Sequence, residues 1–144
     1  MKHILLLIIL ATIGLMSGCS DKAVTLEQIP ETINVFIKQT FPDQSIIHAE
    51  RELSITGYEY SIVLANGVKI EFDGHDEWDK VESSTLPVPD VLIPTAIASQ
   101  VRAHYPGTPI IKIDKAEGDL CEVELAGGLD LKFDRQGRLV KTDD

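Results

Sequence analysis

The stretch LANGVKIEFD, residues 64–73, returns as LAGGLDLKFD, residues 125–134. Leu64 recurs as Leu125, Gly67 as Gly128, Phe72 as Phe133 and Asp73 as Asp134, all at one offset. In each copy an apolar run meets a small-residue turn, Asn66-Gly67 or Gly127-Gly128, and an alternating run follows. Such dipeptides supply the positive φ that a two-residue hairpin turn requires, so each string reads as a β-hairpin.

The surroundings repeat as well. IPETINVFIKQTFP, residues 29–42, carries Ile29, Ile33, Phe36, Ile37 and Phe41 at helical spacing. IPTAIASQVRAHYP, residues 93–106, carries Ile93, Ile97, Val101 and Tyr105 in the same rhythm. That periodicity predicts one apolar stripe per helix. Pro30 and Pro94 suit the helix starts, and Pro42 and Pro106 bias the residue before them away from helical angles. After each helix an apolar pair leads into a charged alternating run. The hairpin follows, and a final segment, EWDKVES or RLVKTDD, reads as a fourth strand. The expected fold is α+β: two tandem units of a helix plus four strands, forming an antiparallel sheet with both helices on one face. Residues 29–82 form the first unit, 83–92 the linker and 93–142 the second. A unit of roughly 55–60 residues buries little surface alone, so the two are expected to share one core.

The first residues are not fold material. MKH is a short basic start, ILLLIILATIGLM an apolar run too short to span a membrane, and MSGC places small residues before Cys19. This is the pattern of a secretory signal, residues 1–18, ending in a lipobox-like site. It predicts lipidation of Cys19, with residues 19–28 as lipid-bearing tether. The expected location is the cell envelope. Ser20 fits outer-membrane delivery, with the periplasmic or surface side open. The net charge of −10 excludes nucleic acid as a partner, because phosphate backbones would be repelled. With Cys19 acylated, Cys121 has no disulfide partner, so stability must come from packing.

Strand alternation assigns two faces. Tyr60, Ile62, Leu64, Val68, Ile70 and Phe72 share one with Cys121, Val123, Leu125, Leu129, Leu131 and Phe133. Ile47, Ala49, Ile111 and Ile113 are expected beside them. The other face shows His48, Glu50, Glu52, Glu59, Ser61, Lys69 and Glu71, then Lys112, Asp114, Glu122, Glu124, Asp130 and Lys132. This mostly acidic face reads either as solvated surface, which antiparallel sheets often have, or as a docking surface for a basic protein or peptide. Under the second reading the contact residues are Glu50, Glu52, Glu59, Glu71, Glu122 and Glu124. Tyr58, placed on the same face, would be an exposed aromatic contact.

Catalytic signals are absent from the sequence. His48, His75 and His104 form no metal-ligand pair at helical spacing, and no nucleophile motif or phosphate-binding glycine loop occurs. Cys121 takes a core-facing position, where a free cysteine acts as a small hydrophobe. DGHDEWDK, residues 73–80, offers Asp73, Asp76 and Asp79 as weak cation ligands, but the spacing is not that of a calcium loop. A turn between strands explains it equally. Trp78 reads as the cap of a small core, with Leu139 in the same role, or as an exposed anchor. No cofactor is expected.

The succession IP, FP, II, GYEYSIVLANGVKIEFD and EW, followed by IP, YP, II, EVEL and GLDLKFD, resembles the PepSY-like family of bacterial envelope lipoproteins. That family is similar in architecture to a proteinaceous β-lactamase inhibitor, in which two tandem units build one eight-stranded curved sheet. The resemblance covers about residues 26–142 and implies an envelope location and a binding rather than catalytic role. It carries over no functional residue, and the inhibitor's disulfides have no counterpart here. The sequence thus points to a non-enzymatic, membrane-anchored module that binds a protein or peptide, including as an inhibitor of a hydrolase. The alternatives are an accessory lipoprotein that scaffolds an envelope complex, and a cation or small-ligand sensor.

Overall fold

The computed structural model describes residues 22–115 and 118–143. The signal segment and the lipidation site at Cys19 lie outside the described residues. Among the described residues two ten-residue α-helices, α1 (Glu31–Thr40) and α2 (Thr95–His104), accompany nine strands. These are β1 (Lys22–Ala23), β2 (Ile46–Leu53), β3 (Tyr58–Leu64), β4 (Lys69–Phe72), β5 (Trp78–Glu82), β6 (Ile110–Asp114), β7 (Cys121–Leu125), β8 (Leu129–Phe133) and β9 (Leu139–Asp143). All pair antiparallel in chain order, as one open sheet with edges at β1 and β9. The extra strand comes from the stretch expected to be tether: Lys22 pairs with Arg51 and Ala23 with Glu50.

The helix ends follow the proline signals, shifted by one residue at the start. Pro30 and Pro94 stand just ahead of the helices, and their carbonyls accept the first helical bonds, from Asn34 and Ala98. Phe41 and Tyr105 close them with nearly identical angles, φ −131 and ψ 61 against φ −132 and ψ 59. Their amides bond Ile37 and Val101, and the next residue, a proline, has no N–H to continue.

A single buried cluster joins the helix stripes, Ile33, Ile37, Ile97 and Val101, to alternate strand residues. Ile62, Leu64, Ile70, Ile113, Val123, Leu131, Phe72 and Phe133 are almost wholly enclosed in it. Each such side chain contributes about 1.5–3 kcal/mol relative to an exposed one. Among the described residues no charged or polar one is buried with them.

Four bulges correct the simple alternation. β2 and β6 slip where they meet β3 and β7, leaving Ile47 and Ile111 unpaired. The extra residue locally breaks the two-residue period. Ile47, expected in the core, is therefore 64% exposed while Ile46 packs inward. Ile111 is buried but stands apart from the main cluster. β5 and β9 slip likewise, leaving Asp79 and Val140 as the unpaired residues. The hairpin turns also differ from expectation. Leu64 bonds Val68, and only Gly67 of the Asn66-Gly67 pair has positive φ. This is a three-residue loop closed by a left-handed glycine, not a two-residue turn. Asn66 instead accepts the Val68 amide with its side chain.

Candidate functional site

On the outer face, lysines interleave with the acids. Lys69 bonds Glu71 at 2.8 Å, and Lys80 lies 3.5 Å from Glu82 and 3.9 Å from Glu71. In the second half Glu122 takes Lys112 at 3.1 Å and Lys132 at 3.0 Å. The register causes this. Glu71 stands opposite Lys80, and Glu122 opposite Lys132, which cross-strand pairing favours. The two lysine contacts, Lys132 first, hold the Glu122 carboxyl below the usual range against the opposing effect of burial. The hydrogen bond to Glu71 holds Lys69 above its own.

The six glutamates predicted for this face lie on it, but they are not equivalent. Glu71 and Glu122 are occupied by lysines, and Glu50 meets His48 at 3.0 Å. Glu52 and Glu59 face each other directly across β2 and β3, and no lysine or arginine pairs with either among the described residues. Like charges set opposite each other destabilise a sheet. Beside them lies a shallow depression of about 240 Å³, lined by Glu50, Glu52, Glu59, Ser61, Glu71 and Asp79 among others. Arg51 and Lys69 line it too, and a second acidic pair, Glu124 and Asp130, faces across β7 and β8 on the same face.

Tyr58 is elsewhere. It pairs with Leu53, two positions from Tyr60, so period-two alternation puts it on the core side of the sheet. It stands beyond the end of the core, 43% exposed, with the Arg51 guanidinium 4.3 Å from its ring centroid. Sequence reasoning also missed Lys80 and Glu82. The alternation of WDKVE would place them only if the bulge at Asp79 were known.

The cation candidates are not brought together. Asp73 spends Oδ1 on the amides of His75 and Glu77, the geometry of a turn. Asp134 does the same for Gln136 and Arg138. Asp76, at φ 63, accepts the Thr32 hydroxyl at 2.8 Å. Asp79 sits in its bulge with Oδ1 buried and without a partner. Burial first, then the charges of Glu71, Asp114 and Asp73, push its carboxyl up. Among the described residues no three acidic, histidine or cysteine side chains group to hold a metal.

Trp78 packs on Phe36, stacked at 6.4 Å, under the Lys115 ammonium 3.5 Å from its ring centroid. Burial pulls the Lys115 pKa down. Cys121 is partly buried against the core, and that burial pushes its thiol up to about 11. A thiol so rarely ionised is a poor nucleophile.

The fold is that of a small α+β protein, an open antiparallel sheet with two helices. The chain belongs to the family described as "Putative beta-lactamase-inhibitor-like, PepSY-like", whose model matches residues 15–60 and 58–141. A solved structure from Bacteroides thetaiotaomicron, described as a "putative calcium-regulated periplasmic protein", is 33% identical, covers 86% of this chain and 97% of its own, and superposes with a TM-score of 0.78. A "putative periplasmic protein" from Bacteroides vulgatus gives the same identity, coverage and TM-score. A second protein from that species, described as of unknown function, is 26% identical with a TM-score of 0.80, over 87% of this chain and all of its own. These descriptions support a cell-envelope location. No curated protein matches the chain. Among the described residues no helix is long and apolar enough to cross a membrane.

Proposed function

We propose that this chain is a lipid-anchored envelope protein that binds a protein partner without catalysing a reaction, holding it on the outer sheet face. In this reading two tandem helix-plus-four-strand units build the sheet, both helices take its core side, and Cys19 carries the anchor. The observation that carries the reading is the facing pair Glu52 and Glu59. They stand unneutralised beside the depression on a face where Glu71 and Glu122 are each held by lysines. A lysine or arginine of a partner, set between them, would relieve a repulsion that the free protein retains. Inhibition of a hydrolase is one form of such binding, in keeping with the family's description.

The test is cross-linking in the intact envelope, with a photoreactive residue at Ser61 in the full chain. A defined adduct is expected, and it should be lost when Glu52→Gln and Glu59→Gln are combined. These substitutions leave the Glu71 and Glu122 networks intact. An adduct that survives them would sink the assignment, and an adduct's identity would separate an inhibited enzyme from a scaffolded complex.

A further inference from the structure

The loop between β2 and β3, residues 54–57, carries an apolar tip with no structural use. Ile55 is fully exposed, Leu53 is 69% exposed, and Tyr58 stands beside them under Arg51. The tip is nevertheless firmly held. Ser54 donates its amide to the Gly57 carbonyl at 2.7 Å. Gly57, at φ 142, approaches so closely that a Cβ there would stand 2.6 Å from the Gly74 carbonyl oxygen. Thr56 closes on Gly74 in the same way. Leaving a branched apolar side chain wholly in water on a braced loop suggests an occupant.

The register of β1 says what that occupant is. Lys22 pairs with Arg51 and Ala23 with Glu50, antiparallel, so β1 read backward from Ala23 to Lys22 points toward Leu53 and the tip rather than toward the far end of the sheet. Only Ser20 and Asp21 separate Lys22 from Cys19. Three Cα steps reach at most about 11 Å, and the tip lies about 13 Å along the strand from Arg51. An acyl anchor on Cys19 therefore fastens the protein to the bilayer at the end of the sheet that carries Leu53, Ile55 and Tyr58. An amphipathic tyrosine and a long arginine beside aliphatic side chains suit the lipid–water boundary.

We infer that the β2–β3 tip inserts Ile55 and Leu53 into the lipid interface next to the anchor, as a second membrane contact that stands the sheet on end and leaves its outer face open to a partner. The protein is acidic overall, so this contact works through apolar burial and does not require anionic lipid. The inference rests on the lipidation of Cys19 that the proposed function includes.

The experiment uses the full chain, processed in a bacterial envelope and reconstituted into phosphatidylcholine vesicles. Mass analysis of the N-terminal peptide reads acylation of Cys19. A spin label placed by Ile55→Cys reads depth, from its accessibility to membrane-dissolved oxygen against a water-soluble nickel chelate. Ile47→Cys is the control: the same residue type, also exposed, at the opposite end of β2. The expected result is an acylated Cys19, a label at 55 reached by oxygen, and a label at 47 reached by nickel. Acylated protein with both labels equally aqueous would overturn the tip contact alone. Unmodified Cys19 would overturn it together with the anchor, and the mass spectrum distinguishes the two failures.

Discussion

Trp78 opens β5 and Leu139 opens β9, at matching places in the two halves of the chain, and their fates differ. Trp78 is covered by Phe36 and Lys115 and packs against the core. Leu139 is 46% exposed on the strand that forms an edge of the sheet among the described residues. The local sequence does not cause this. β5 lies between β4 and β6, and Lys115, which follows β6, reaches back over the indole and donates its amide to the Asp79 carbonyl at 2.7 Å. Among the described residues β9 is an edge, with no strand beside it on the outer side to close over Leu139. The same position is half-buried or exposed according to which strand comes next.

Replacing the two residues should make the contrast largest. Trp78→Ala is expected to cost about 2–3 kcal/mol and Leu139→Ala less than about 0.5 kcal/mol, read from urea midpoints at constant slope. Equal costs would mean that β9 is covered in solution, by a second copy or another chain.

Two left-handed glycines sharpen the comparison at an intermediate size. Gly67, at φ 86, has nothing near its missing side chain, whereas a Cβ on Gly137, at φ 74, would collide with Ala96 at the start of α2. Gly67→Ala should lose about 1 kcal/mol through backbone strain alone. Gly137→Ala should lose about 2–3 kcal/mol, because α2 or the turn must also move. Thermal unfolding of the two variants side by side measures the difference, and equal shifts would break the proposed contact between α2 and the last turn.

The smallest effects concern charge and differ in sign. The folded pKa of Glu122 is lowered, so its contribution is present above the unfolded carboxylate pKa and lost as pH falls through the folded value. Glu122→Gln should cost up to about 1 kcal/mol at pH 7 and nothing in strong acid. The folded pKa of Asp79 is raised, so its charged form is a penalty above that value and disappears as pH falls through the ordinary carboxylate range. Asp79→Asn should stabilise by about 0.3–0.5 kcal/mol at pH 7, and that gain should vanish toward pH 3. Its counterpart in the second half, the bulge residue Val140, carries no charge to titrate. Urea titrations between pH 3 and 8 check both signs.

Much of the candidate site was legible in the residues. Alternation placed Glu50, Glu52, Glu59, Glu71, Glu122 and Glu124 on one face, because a regular strand leaves each side chain no other choice. It misplaced Ile47, since a bulge carries no residue signature. Tyr58 was misplaced although its parity with Tyr60 was available. Lys69 stands two residues before Glu71 on the same strand, so that pairing was readable locally, whereas Lys80 reaches Glu71 from β5, which no single segment encodes.

By itself the sequence determined the elements and their order: helices bounded by prolines, hairpins closed by glycine, strands with alternate apolar residues. These follow from local backbone sterics and the burial of periodic apolar side chains. Only the tertiary structure decided which strand became an open edge, which acids found lysines, and that β1 pairs with β2 in the register that sets Lys22 opposite Arg51. Those outcomes depend on register and on which strands become neighbours, and only the assembled sheet sets both.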